Sequence, residues 1–238
     1  MLSWLADLAR VYGRTFQRAA ELLVRNWPLP VVALGYQLIT MAAGVAIAPL
    51  QLLGQFGGFA AGVVAVIVGA ACMSSWLALV EQVIRSGRIA AAEVRTSFTT
   101  YLGDLLNVGF LLFGLQLVGE FALTPFPYLK IVFLLATAVF LNAVPELLYL
   151  GHHAGVALFV ESYRFIGQSW IEWFPANIVL LALLGAVLTG VPEGPFGLLG
   201  AAAFAIAMSY ALLVRGLLFL ELTTSSRRAR EFRRRVEG

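Results

Sequence analysis

The chain has 238 residues, 61% of them hydrophobic and 12% charged, about half the charged fraction of an ordinary soluble domain. A mean hydropathy of +0.88 excludes a water-facing globular surface, and a single cysteine, Cys72, excludes an intrachain disulfide or a cysteine-based metal site. The formal charge is only +3, but it conceals sixteen cations, fifteen of them arginine, whose placement carries direction.

Residues 1–27 read as an interfacial amphipathic helix. Leu5, Leu8, Tyr12, Phe16, Ala19 and Leu23 recur at helical spacing, and Arg10, Arg14 and Arg18 recur every fourth residue on another face. Asp7 and these arginines interrupt the clean apolar core that a signal peptide needs. A helix of this kind lies in the plane of the membrane interface with its arginines among lipid headgroups. Arg10, Arg14 and Arg18 are therefore candidate headgroup contacts. Trp27 marks the headgroup level where the first span begins.

Residues 28–222 are expected to form a six-helix membrane domain. A spanning helix needs about 20 mostly apolar residues, and the runs 28–50, 59–84, 105–123, 131–150, 175–188 and 197–220 qualify. Pro28 and Pro175 stand where proline is tolerated, in the first turn of a helix. Fourteen cations precede span one, follow span six or join spans two to three and four to five; only Lys130 falls on the other side. The excess places both termini in the cytoplasm of a bacterial inner-membrane protein. The outer connections, 51–58, 124–130 and 189–196, are short and rich in Gly and Pro. Residues 223–238 form a basic tail in which Arg227, Arg228 and Arg230 precede Arg233, Arg234 and Arg235. Anionic lipid beside the membrane is its expected partner; nucleic acid is not, because no aromatic interleaving accompanies the charge.

Three segments have a common plan, an amphipathic lead-in followed by a helical hairpin: "GRTFQRAAELLVRNWPLP", "VRTSFTTYLGDLLNVG" and "ESYRFIGQSWIEWFPAN". They suggest a threefold repeat with an irregular period of about 70–80 residues. The "RNWPL" lead-in and the connector "QVIRSGRIAAAEVRTSFTTYLGDLL" carry a resemblance to uncharacterised bacterial six-helix membrane proteins. This layout is similar to the membrane domain attached to some glycerophosphodiester phosphodiesterases. The resemblance implies an all-α polytopic bundle. It implies no phosphodiesterase activity, because this sequence has no counterpart of the catalytic domain. Small residues every fourth position, Ala61, Ala65 and Gly69 in span two and Gly197, Ala201, Ala205 and Ser209 in span six, are candidates for close helix contact.

Charge at membrane depth marks the candidate site. Glu146 and Arg215 lie roughly 6 and 10 Å inside the cytoplasmic ends of spans four and six, at 1.5 Å per residue. Their signs and depths predict a pair between those spans. Asn142, Glu146, Tyr149 and His153 fall at steps of four, three and four, on one helix face. Pro145 leaves the Leu141 carbonyl without its usual donor, so that face should point into the bundle. Two readings stand, a structural salt bridge or a substrate, ion or headgroup site. Glu81 and Arg85, one turn apart, read as an interfacial ion pair.

No motif points to catalysis: HExxH, GxSxG and phosphate-binding glycine loops are missing. His152 and His153 are adjacent and splay about 100° apart on a helix, so no histidine-held metal or haem is expected. No cofactor is called for. A non-catalytic, lipid-interacting or scaffolding subunit of a larger membrane complex, with other subunits or a second copy as partner, is the expected function. A small transporter, or a membrane subunit of one, with its polar site between spans four and six is the alternative, and an intramembrane enzyme comes last.

Overall fold

The computed structural model describes residues 2–90, 94–190 and 197–224, with side chains described except at 2–7 and 95. All regular structure among the described residues is helical. Helix α1 (Leu2–Arg25) turns at Asn26 and Trp27 into α2 (Pro28–Ile47). A 3-10 turn (Ala48–Leu53) and Gly54, with φ +75°, reverse the chain into α3 (Gly54–Ser86). Gly57 is required here, since a Cβ would lie 1.9 Å from the Leu50 carbonyl oxygen. Gly87, also at φ +75°, terminates α3 in the left-handed conformation that glycine adopts without strain.

A short α4 (Val94–Thr100) precedes α5 (Leu102–Leu117), which loosens into a π turn (Val118–Ala122). Then come α6 (Pro127–Phe140), α7 (Val144–Tyr149), α8 (Gly155–Gly190) and α9 (Gly197–Thr224). Among the described residues, five stretches are long and apolar enough to cross a membrane: 28–86, 102–122, 127–149, 155–190 and 197–224. The first holds 59 residues and contains α2, the 3-10 turn and α3, with α2 packed back against α3.

Helix α9 is the hub and packs against α1, α2, α3, α7 and α8. Its buried Leu212, Leu213, Val214, Leu218 and Phe219 belong to one core with Leu29, Leu77, Val80, Tyr149 and Trp173. The outer surfaces carry large apolar side chains such as Leu38, Ile67, Phe110, Leu135 and Leu181. Soluble monomers rarely expose so much contiguous apolar surface.

Four expectations change. First, α8 runs through Pro175 as one 36-residue helix, so Pro175 does not begin a separate span and the third lead-in has no turn. The ring removes only one backbone hydrogen bond, and Asn177 and Trp173 on the same turns are held by buried contacts. Second, the apolar face of α1 is covered by protein: Val11, Tyr12, Phe16, Ala19, Leu22 and Leu23 pack on the core. Tyr12 Oη donates to the Glu172 carbonyl at 2.7 Å, and Tyr210 Oη donates to the Phe16 carbonyl at 3.2 Å. Third, the stripe on α3 is buried only at Ala61; Ala65 is exposed and a Cβ on Gly69 would meet nothing within 4 Å. The close approach is Gly216 on α9, where a Cβ would lie 2.4 Å from Ile84 Cδ1 and 2.7 Å from Tyr149 Oη. Fourth, residues 131–150 are not one helix, as described next. The tail arginines Arg227, Arg228, Arg230, Arg233, Arg234 and Arg235, and the outer-loop residue Glu193, lie outside the described residues.

Candidate polar site within the bundle

The helix of "FLNAVPELLY" breaks at 141–143. Proline in the first turn of α7 supplies no N–H, and the chain regroups around it. The Leu141 carbonyl, expected to lack a donor, accepts from the Val144 N–H at 3.2 Å. The carbonyls left open are its neighbours. Phe140 O accepts from Ser162 Oγ on α8 at 2.7 Å, and Asn142 O accepts from Arg215 Nη2 on α9 at 2.6 Å. The break therefore converts two backbone acceptors into attachment points for α8 and α9.

Arg215 is the centre of this junction. Its Nε donates to Glu146 Oε1 at 2.6 Å and its Nη2 to Glu146 Oε2 at 2.8 Å, the fork-to-fork geometry that only arginine offers a carboxylate. Nη1 donates to Asn177 Oδ1 at 2.6 Å. The guanidinium carbon also lies 5.2 Å from the centroid of the Trp173 ring, within cation–π range. Trp173 Nε1 donates to Asn142 Oδ1 at 2.8 Å, and Asn177 Nδ2 donates to the Trp173 carbonyl at 2.7 Å. Glu146 is 0% exposed and the Arg215 side chain 17%. Both carboxylate oxygens and all three guanidinium nitrogens thus have protein partners, as buried charge requires.

This arrangement holds three elements together and presents no free acid, base or nucleophile. Asn142, Glu146 and Arg215 meet as the sequence suggests. Tyr149 is fully buried nearby but directs its hydroxyl toward the Leu212 carbonyl at 3.5 Å, a marginal hydrogen bond. His153 does not join. The helix ends at Tyr149, His152 takes φ +53°, and the His153 ring bonds to none of Asn142, Glu146, Tyr149 or Arg215. Stepping along an unbroken helix placed it on the wrong side of that bend. Trp173 and Asn177 went unrecognised, although their i, i+4 spacing beside an intramembrane charge was the available signal.

A second cluster lies at the end of α3. Arg85 Nε donates to Glu81 Oε1 at 2.7 Å and its Nη2 to the Leu150 carbonyl at 3.1 Å. Tyr101, at the α4–α5 junction, donates its hydroxyl to Glu81 Oε2. Burial raises the Tyr101 phenol above its ordinary range, and the hydrogen bond and negative charge of Glu81 raise it further. His152 Nε2 approaches Glu81 Oε1 at 3.4 Å, so the adjacent histidine, not His153, faces a carboxylate. The pair expected of Glu81 and Arg85 is present, and it fastens α3 to the α7 terminus. Arg10, Arg14 and Arg18 lie on the exposed side of α1. Among the described residues no group of three or more His, Cys, Asp or Glu side chains is arranged to hold a metal.

No family model, no curated protein and no solved structure matches the chain.

Proposed function

We propose that this chain is a non-catalytic integral membrane protein that interacts with lipids and serves as a scaffolding subunit of a larger bacterial inner-membrane assembly. The observation that carries the reading is the complete internal pairing of Glu146 and Arg215. A site built for a transported ion or a substrate keeps part of its charge open to the ligand. Here the carboxylate, the guanidinium and the Asn142 carbonyl of the 141–143 break satisfy one another. The broken helix, otherwise suggestive of a transporter, is explained by that pairing.

In this reading the chain crosses the bilayer six times. The stretch 28–86 is too long for one crossing: 59 residues would extend about 89 Å as a straight helix at 1.5 Å per residue, against a hydrocarbon core of about 30 Å. Its two packed halves form the first hairpin, 102–122 and 127–149 the second, and the far part of α8 with α9 the third. Both termini are cytoplasmic, with the arginines of α1 and of the tail beside anionic headgroups. The likeness to the membrane domain of some glycerophosphodiester phosphodiesterases belongs to this proposal at the level of organisation alone. The exposed apolar faces of α5 and α6 meet lipid and neighbouring subunits.

Native pull-down in mild detergent, with mass spectrometry of lipids and proteins, tests the proposal. Co-purified phospholipid and an integral membrane partner support it. Recovery of a cytoplasmic ATPase, or of a soluble metabolite bound stoichiometrically, would overturn it in favour of transport.

A further inference from the structure

We propose that the cleft between α1 and the end of α3 binds a phospholipid headgroup bearing a primary ammonium beside its phosphate. The cleft has a volume of about 310 Å³, at the small end of the range for ligand sites. Arg18, Glu21 and Arg25 line it from α1 and Arg85 from α3, with the apolar Leu22 and Ile84 between them as its buried floor. The floor residues are 9% and 6% exposed. This inference rests on the lipid-interacting reading above and specifies which lipid chemistry one site takes.

The charges around the cleft differ from every other charged cluster described. Glu21 stands one turn from both Arg18 and Arg25, spacings at which helical ion pairs form. Yet no ion pair joins them; Glu21 accepts only a hydrogen bond from Gln17 Nε2 at 3.1 Å. Arg85 is committed to Glu81 and the Leu150 carbonyl. Two guanidiniums and one carboxylate, Arg18, Arg25 and Glu21, therefore line one concavity with no ion pair between them. A phosphate diester suits the two guanidiniums, which bind such oxygens as planar forks. An ammonium with N–H donors suits the carboxylate. A headgroup with a phosphate alone would leave Glu21 facing negative charge, and a quaternary ammonium has no N–H to donate.

The cleft is held open by Asn26. Its Nδ2 donates to the Leu22 and Gly87 carbonyls at 2.9 and 3.0 Å, and its Oδ1 accepts from the Ile89 N–H at 3.0 Å. One buried amide thus fixes the end of α1 to the turn after α3, so the site is formed before a ligand arrives.

The test uses the full chain in phosphatidylcholine nanodiscs doped with equal phosphatidylethanolamine and phosphatidylglycerol, followed by native mass spectrometry of retained lipid. Wild type should retain phosphatidylethanolamine about tenfold over either competitor, the difference expected of one charge-assisted hydrogen bond. Glu21→Gln should keep phospholipid but lose that preference. Arg18→Gln with Arg25→Gln should reduce retention at this site about tenfold for each guanidinium removed. All three side chains are exposed, so each variant should melt as wild type does. Equimolar glycerophosphoethanolamine should not displace the lipid; displacement would assign the cleft to a soluble phosphate ester and overturn the lipid source. Unselective retention of all three lipids, unchanged in the double variant, would overturn the cleft and leave the lipid-interacting reading standing. Retention of no lipid by wild type would overturn that reading itself.

Discussion

Arg215 makes four hydrogen bonds to three residues, and every one of them is with a different helix or turn from its own. A guanidinium so placed is stabilising only while its carboxylate remains. Removing one member of a buried pair strands the other charge, typically at a cost of about 3–5 kcal/mol, whereas removing both is often tolerated. Glu146→Gln should therefore lower the melting temperature in detergent more than Glu146→Gln combined with Arg215→Gln. Equal melting of wild type and the single variant would show that the pair holds nothing. Gly216 is a second test at this scale. Gly216→Ala forces Ile84 and Tyr149 aside, and overpacking of this kind costs about 1–3 kcal/mol; unchanged melting would contradict the close approach. The pair itself was legible in the sequence, because two opposite charges at one depth are rare enough to find each other. Gly216 was not, since spacing alone cannot tell which small residue lies under a neighbouring side chain. His153 was misplaced because a single positive φ at His152 rotates everything beyond it.

Helix α1 shows how an element can satisfy a sequence pattern in an unexpected way. Its arginines are where helical periodicity puts them, but from Tyr12 to Leu23 its apolar stripe packs on α9 and the core. Periodicity reports that a face is buried and is silent about the material that buries it. The docking is titratable. Tyr12 in the released helix ionises near its ordinary value of 10.0, while burial first, and the charge of Glu172 second, push it up to about 12 in the docked one. The docked state holds the proton more tightly, so docking is at full strength below pH 10 and weakens as pH rises from 10 to 12. Hydrogen exchange along α1 should show this alkaline release, and Tyr12→Phe should remove the part of the step that belongs to the phenol. Identical pH profiles for the two proteins would contradict the assignment. Asn26→Ala should loosen the same corner by about 1–3 kcal/mol, since the Ile89 N–H and Gly87 carbonyl lose their partner; faster exchange at 87–89 checks it. Elsewhere, Pro175 misled because proline reads as a helix start, and α8 accommodates it internally.

At the scale of the molecule, hydropathy located every apolar stretch but the fifth to within about five residues, because twenty consecutive apolar side chains leave few alternatives; the fifth, expected at 175–188, belongs to a helix that begins at Gly155. The hub position of α9 was not visible, since its residues are apolar on all sides and periodicity has nothing to measure. The buried charge centre fastens α7, α8 and α9, and the proposed function leaves interaction to the surfaces outside it. The most direct measurement compares wild type with Glu146→Leu/Arg215→Met, both purified in mild detergent, by native mass spectrometry of bound lipids, proteins and small molecules. If the pair is structural, the apolar replacement retains the same lipids and the same membrane partner. If a small molecule held by wild type is missing from a variant that still melts near wild type, the centre is a ligand site and the account is wrong.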